Sequence, residues 1–239
     1  MRNCWKLGVT SLLAVAFAGV VGCGSSSTDG DSSGDQTPAT AAIGDPGGSS
    51  AGGAAAQGGE SAQDTLHPIV ALDTSLGKIT VQLDAEKAPL TVDNFLYYVE
   101  HGFYDQTVFH QAVEDQVVLG GGYTADLVEK NTRTSIRNEA YKSPKNTRGT
   151  IAMVRRSDSI DSATSQFFFN LDDHPHLDHQ AQSPEEAEKP EKYGYCVFGR
   201  VIEGMDVVEK IGRVQVEDAP DFPRKPVKTV LINSARRIR

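Results

Sequence analysis

Carboxylates and imidazoles crowd into one short stretch, where Asp172, Asp173, His174, His176, Asp178 and His179 follow closely on one another. These side chains are donors for zinc and other divalent ions. The flanking residues predict neither a helix nor a strand that would aim them at one point, so the segment reads as a solvated polar loop and no metal is expected. Thiol chemistry has three candidates, Cys4, Cys23 and Cys196. Cys196 lies in the apolar run 195–198 and reads as a buried strand residue, an environment that keeps a thiol unreactive. His110 sits among apolar neighbours and has the chemistry of a general base, a role that only a proton-transferring reaction would use.

Cys23 has a different setting. Arg2 and Lys6 precede an apolar run over residues 7–21, and Val20, Val21 and Gly22 lead into the cysteine. This resembles a lipoprotein signal peptide, in which small residues let the peptidase approach the backbone and the cysteine thiolate receives a diacylglyceryl group. The run is shorter than the ~20 residues needed to span a bilayer, so residues 1–22 are expected to leave as the signal and Cys23 to carry the lipid. Cys4 departs with the signal, and Cys196, as the one free thiol left, has no partner for an intramolecular disulfide. Residues 24–66 contain no Lys, Arg or aromatic residue. Such a composition cannot bury enough surface to offset the entropy of ordering, and residues 23–66 read as a disordered Gly/Ser/Ala/Asp-rich tether with a reach of roughly 35 Å. The lipid bilayer is then a partner through acylated Cys23, and the location is the bacterial cell envelope. Gly24 stands where an Asp retains Gram-negative lipoproteins at the inner membrane. That resemblance implies the outer membrane, facing the periplasm, where there is one.

A composition break near residue 66 leaves residues 67–239 as one domain. The chain carries a formal net charge of −9, and since two of its 23 Lys+Arg and six of its 32 Asp+Glu precede His67, the domain itself is −5. Nucleic acid is excluded as a partner, because phosphate binding needs a basic face. Residues 69–72 and 78–83 alternate apolar and polar around Thr74-Ser75-Leu76-Gly77, predicting a β-hairpin. Pro89 suits the first position of a helix whose apolar face is Val92, Phe95, Leu96 and Val99, and Gly102 suits its stop. Strands are predicted at 108–113, 117–119, 149–154, 166–170, 195–201 and 227–232, with a second amphipathic helix over 205–211. Many short strands and two separate helices suggest a closed or nearly closed barrel with helical plugs. The acidic segment 180–192 reads as an inserted surface loop, and Arg236, Arg237 and Arg239 as a solvated tail.

Seven stretches resemble the cyclophilins, in family order across nearly the whole domain. They begin with Ala88-Pro89-Leu90-Thr91-Val92-Asp93-Asn94-Phe95. Phe103-Tyr104-Asp105 with Thr107-Val108-Phe109-His110 follows, then Gly120-Gly121-Gly122 and Asn146-Thr147-Arg148-Gly149-Thr150-Ile151-Ala152-Met153. Ser165-Gln166-Phe167-Phe168-Phe169-Asn170, Tyr193-Gly194-Tyr195-Cys196-Val197-Phe198-Gly199 and Val201-Ile202-Glu203-Gly204-Met205-Asp206-Val207-Val208 complete the set. The resemblance implies a mostly β fold, an eight-stranded antiparallel barrel capped by two α-helices, with a peptide groove on one outer face. It also implies cis/trans isomerisation of peptide bonds preceding proline, a reaction that needs no cofactor and moves no proton. His110 is then a packing residue beside the groove.

The family pattern maps without a gap onto residues 109–121. Gln111 takes the position of the catalytic arginine, Gln116 that of a pocket phenylalanine and Leu119 that of the glutamine that steadies the arginine. Val117, Gln166, Phe168 and Leu177 match the remaining pocket and backbone-binding positions. His176 falls where cyclosporin-sensitive members carry tryptophan, and Tyr195 where many carry histidine or tyrosine. In the family the end of the Met153 strand borders the groove; Val154 lies at that end, and Arg155 and Arg156 follow it. Each arginine reads either as a solvated loop residue or as a cation returned to the substrate carbonyl.

Gln111 keeps an amide donor but loses the cation and its five-donor fork. A slow isomerase assisting proteins folding at the envelope is therefore expected, acting as a monomer on proline-containing segments. The alternatives are a cyclophilin-like module that binds peptides without catalysis, and a structural envelope protein.

Overall fold

Alternation of apolar and polar side chains builds the opening hairpin. In the computed structural model, which describes residues 65–239, β1 (Ile69–Thr74) and β2 (Gly77–Leu83) pair antiparallel from Ile69–Gln82 to Thr74–Gly77. Thr74 closes the two-residue loop between them: its Oγ1 donates to the Gly77 carbonyl at 2.6 Å and accepts from the Leu76 N–H at 3.2 Å. Val70, Leu72, Ile79, Val81 and Leu83 enter the core. The expected signal peptide of residues 1–22, lipidated Cys23 and almost all of the tether lie outside the described residues.

Helix α1 (Pro89–Glu100) starts at Pro89, as the fixed proline φ favours. Its Phe95 meets Tyr104, Phe167 and Phe198 at ring-centroid distances of 5.1, 5.7 and 5.0 Å, placing the helix over the barrel core. Ala88 provides no side-chain cap. Glu139 substitutes from a distant loop, its buried carboxylate accepting both the Thr91 N–H and the Thr91 hydroxyl at 2.9 Å.

The barrel strands that follow are β3 (Thr107–Val113), β4 (Val117–Thr124), β5 (Thr150–Met153), β6 (Phe167–Asn170) and β7 (Val197–Glu203). A 3₁₀ turn (Pro175–Leu177) and two short helices, α2 (Pro184–Ala187) and α3 (Pro190–Tyr193), lie between β6 and β7. Helix α4 (Met205–Gly212) buries Val207, Val208 and Ile211 in the same core as α1. A small hairpin of β8 (Val216–Ala219) and β9 (Phe222–Pro226) precedes β10 (Val230–Arg237). Around the barrel the order is β1, β10, β3, β4, β6, β5, β7, β2 and back to β1, every pair antiparallel. This is the eight-stranded closed barrel expected, and closure leaves no unpaired edge.

Several local expectations are corrected. Hairpin β8–β9 was not anticipated, because its strands, VEDA and FPRKP, lack an apolar alternation and carry two prolines. The basic C-terminal end is not a solvated tail. Arg236 lies opposite Ala71 in β10 and holds both Asp105 oxygens at 2.8 and 2.7 Å, while Arg237 stands 3.7 Å from Glu100. Segment 172–179 is not a uniformly solvated loop either, since His174 is buried and reaches the Gln116 carbonyl at 3.0 Å. Asp178 accepts from the Asn146 N–H at 2.7 Å, and His179 Nδ1 lies 2.9 Å from the Tyr193 carbonyl, so these groups serve separate structural partners.

Gly121 combines two constraints on the backbone of β4. Its φ is +83°, and a β-carbon there would lie 2.7 Å from Phe167 and 2.9 Å from Tyr104. Gly121→Ala should therefore combine a left-handed backbone penalty with overpacking, lowering stability by about 2 to 4 kcal/mol. Thermal unfolding followed by circular dichroism checks this; a midpoint within 2 °C or so of wild type would show that β4 relaxes around the methyl group.

Candidate functional site

A strand facing water on one side shows apolar residues at alternate positions. Strands β4 and β6 do not: Val117, Val118 and Leu119 are all buried, and so are Phe167, Phe168 and Phe169. Val118, Phe167 and Phe169 fill the barrel. The others form a second apolar cluster that also contains Ala152, Val154, Leu177, Tyr195 and Val197. Register places its centre as one lateral row, Gln111 opposite Leu119, Leu119 opposite Phe168, Phe168 opposite Ala152 and Ala152 opposite Val197. The row crosses five strands on the outer face.

Loops complete this surface. The 3₁₀ turn delivers Leu177, and the Tyr195 N–H donates to the Leu177 carbonyl at 2.8 Å, tying two of the covering residues together. The buried Asn146 amide binds the carbonyls of both, at 3.1 and 3.3 Å. Tyr195 meets Phe168 edge to face at 5.8 Å. The hydroxyl end of a tyrosine can remain accessible while its ring body packs.

A β-bulge sets the polar end of the row. Phe109 pairs with Gly120 and Gln111 with Leu119, so His110 is the extra residue on β3. The bulge lets two successive side chains leave the barrel on its outer side. Gln111 is thereby half-buried beside Leu119, and His110 is buried between Tyr123, at 4.8 Å, and Phe222, at 6.2 Å. Burial holds the His110 imidazole neutral, with its pKa pulled down from 6.5 to about 4, and among the described residues its Nδ1 finds no hydrogen-bond partner. Gln166 stands across from this end. It packs against Gly122, where a β-carbon would come within 2.4 Å of its Cγ, and its amide interacts with the Tyr123 hydroxyl.

Arg155 follows neither of its two expected readings. It is buried, and its Nε, Nη1 and Nη2 donate to the carbonyls of Gly194, Arg156 and Pro190 at 2.9, 2.8 and 2.5 Å. Its guanidinium also lies 4.7 Å from the Tyr195 ring centre. The arginine clamps segment 190–194 and backs Tyr195, so its guanidinium is engaged by three backbone carbonyls and an aromatic face. Arg156 is exposed and stands 3.3 Å from Asp158. Gln116 is exposed at the β3–β4 turn, although its carbonyl is fixed by the Leu171 N–H at 2.7 Å. His176 is exposed as well, 5.4 Å from His174, and partial burial lowers its pKa.

Residues 69–237 match the family model described as cyclophilin type peptidyl-prolyl cis-trans isomerase. The chain belongs to the cyclophilin family. It is 43% identical over 170 residues to peptidyl-prolyl cis-trans isomerase A of Dickeya dadantii, covering 71% of this chain and 84% of that protein. It is 39% identical over 166 residues to peptidyl-prolyl cis-trans isomerase B of Escherichia coli, covering 70% and 97%. Its fold resembles the crystal structure of a Cryptosporidium parvum cyclophilin-type isomerase, with a TM-score of 0.57 and 20% identity over 72% of this chain and 98% of that one. A second structure of that protein was determined in the presence of the dipeptide Ala-Pro.

The cyclophilin face of this chain thus brings together Gln111, Val117, Leu119, Val154, Phe168, Leu177 and Tyr195, with Gln166 at one margin and Gln116 and His176 exposed at the rim. Ala152 and Val197 were not anticipated as members of the row, and neither was Phe222 as the neighbour of His110. The first two carry a sequence signal: strand segments apolar at consecutive positions imply cover on both faces. Phe222 carries none.

His110 generates a pH prediction. An unfolded histidine takes up a proton near pH 6.5, whereas the folded imidazole does so only near pH 4. Between these values the unfolded state binds more protons, so stability present above pH 6.5 is lost as pH falls toward 4, by up to about 3 kcal/mol. Urea unfolding at pH 7 and 4.5 should show this loss in wild type and a smaller one in His110→Phe. Equal losses in both proteins would exclude His110 as the source.

Proposed function

We propose that this chain is a slow peptidyl-prolyl isomerase acting on proteins that fold at a bacterial envelope, held there by a lipid on Cys23. The observation that carries the first part is the apolar row that ends on an amide, Gln111, where Leu119 is the neighbour on β4. In this reading Val117, Phe168 and Leu177 supply an apolar seat for a proline ring, and Gln166, packed against Gly122, binds the flanking backbone.

Isomerisation is slow because rotation breaks amide resonance, a barrier of ~18 to 20 kcal/mol. A catalyst must hold the twisted bond more tightly than either planar form. The Gln111 amide can donate one neutral hydrogen bond where an arginine would donate charge-assisted ones. The difference, about 1 kcal/mol or slightly more, corresponds to a rate lower by roughly tenfold. Leu119 accords with this change, because an apolar neighbour suits an uncharged amide and would leave a guanidinium without an acceptor.

A non-catalytic peptide-binding module is the second reading, favoured by the commitment of Arg155 to three backbone carbonyls. Exchange spectroscopy of an Ala-Pro peptide with the full chain separates the two. Wild type should accelerate the exchange, Gln111→Arg should do so about tenfold faster, and Gln111→Arg with Leu119→Gln faster still. Peptide binding without acceleration by wild type would instead establish the module.

The envelope reading rests on Arg2, Lys6, the apolar run 7–21 and Cys23. Expressed in a bacterium supplied with labelled palmitate, wild type should incorporate label and sediment with membranes, and Cys23→Ala should do neither. Unlabelled wild type would remove the anchor while leaving the isomerase reading intact.

A further inference from the structure

Hairpin β8–β9 has no place in the barrel, yet it is packed against β3, the strand that carries Gln111. Phe222 is the first residue of β9, next to the turn where Ala219 pairs with it. Its ring meets Tyr123 edge to face, with centroids 5.0 Å apart and planes at 87°, and meets His110 at 6.2 Å. Phe222 and Tyr123 are both only half-buried, so ring surface remains open to solvent. The polar neighbours of this surface include the Gln166 amide at the Tyr123 hydroxyl, the unpartnered Nδ1 of His110 beneath it, and the carboxylates of Glu129 and Asp221, whose charge reaches the Tyr123 hydroxyl.

The hairpin is a fixed wall. Lys225 and Glu217 pair across it at 2.6 Å, and the Arg224 N–H, on a residue with φ +56°, donates to Asp218 at 2.9 Å. Along β4, Val117 lies in the apolar cluster, Leu119 faces Gln111, and Tyr123 carries the aromatic shelf. The shelf therefore continues the groove past Gln111, on the side away from the proline seat. The distance along the strand from Leu119 to Tyr123 is that of a few extended residues, so a peptide whose proline occupies the Val117 end brings a flanking side chain onto it.

We propose that Phe222, with Tyr123 and His110, forms a second apolar subsite that takes a bulky apolar or aromatic side chain flanking the prolyl residue. This deepens the peptide-groove reading and rests on it. An aromatic ring presented by the substrate would extend the edge-to-face stack already formed by Tyr123 and Phe222, a contact that supplies binding without a charged group at position 111.

Two peptide series test the subsite, Ala-Xaa-Pro-Ala and Ala-Ala-Pro-Xaa, with Gly, Ala, Leu or Phe as Xaa. Exchange rates and binding isotherms are measured for the full chain as wild type, Phe222→Ala and Phe222→Leu. In one series wild type should prefer Phe over Gly by about fivefold. Phe222→Ala should reduce that ratio below twofold while retaining its rate on the Gly peptides, and Phe222→Leu should restore most of the preference for Leu and Phe. Preference unchanged in Phe222→Ala overturns the subsite with the isomerase intact. Equal loss on every peptide also overturns it, reducing the hairpin to a support of β3. No binding and no acceleration of any peptide by wild type overturns the groove reading and the subsite together.

Discussion

Four neighbouring strands of this barrel carry apolar side chains on both faces, and much of the architecture outside the barrel answers that constraint. The inner residues are satisfied by closure and by the plugs α1 and α4. The outer ones, Leu119, Phe168, Ala152 and Val197, would otherwise be an exposed stripe of a kind that monomeric proteins rarely tolerate. The chain between β6 and β7 supplies the cover. Leu177 and Tyr195 bury most of the stripe, and Asn146 and Arg155 hold that cover by its backbone carbonyls. Removing Asn146 would leave the Leu177 carbonyl with only the Tyr195 N–H, and removing Arg155 would leave the Gly194 carbonyl with only the Asn138 amide, so each loss weakens the cover by about 1 kcal/mol per hydrogen bond. The outer apolar row is thus built by the same strands as the core and covered by the chain between β6 and β7.

Charge in the domain follows the same division between support and surface. Arg155 is buried, and its charge is stabilised by three carbonyl dipoles and the Tyr195 face instead of a carboxylate. Glu139 is buried too, and serves the N-terminus of α1 and Lys142, 3.1 Å away. Asp105 is held ionised by Arg236, whose hydrogen bonds lower its pKa, and the pair stitches β10 to the turn before β3. These ionic groups fix loops against the barrel. The Gln111 end of the row carries uncharged groups, since His110 is neutral there above about pH 4.

The barrel was legible in the sequence because its strands obey simple rules. Alternation in 69–72 and 78–83 and a proline-started helix at Pro89 are local signals, and they agree with the tertiary structure. Strand ends were less legible: β4 runs to Thr124 through Gly120, Gly121 and Gly122, residues with no side chain from which to read a period. Hairpin β8–β9 escaped because its pairing depends on Glu217 opposite Lys225 and on docking to β3, contacts with no periodic trace. The Gln111, Leu119 and Phe168 juxtaposition followed from family resemblance, while the bulge that turns Gln111 outward depends on a register that only the folded β3–β4 pair defines. Arg155 illustrates the other limit, since its three carbonyl partners, in Pro190, Gly194 and Arg156, are set by loop packing that leaves no trace in the sequence around it.

An apolar row ending on an amide still has a physical route to catalysis. The planar amide owes its rigidity to a resonance form with separated charge, and water stabilises that form more than an apolar surface does. The twisted amide has lost much of that charge separation and gives up less on leaving water. On the proposed reading, a prolyl ring seated against Val117, Phe168 and Leu177 would favour the twisted state even before a donor contributes, and binding energy from flanking residues would help to hold the bond there. A donor at the Gln111 position adds to this effect by compensating the nitrogen lone pair that resonance no longer engages. Charge at that position would make the compensation stronger, but in the proposed reading it is the apolar surface and its fixed geometry that would restrict the peptide to conformations in which the donor can act.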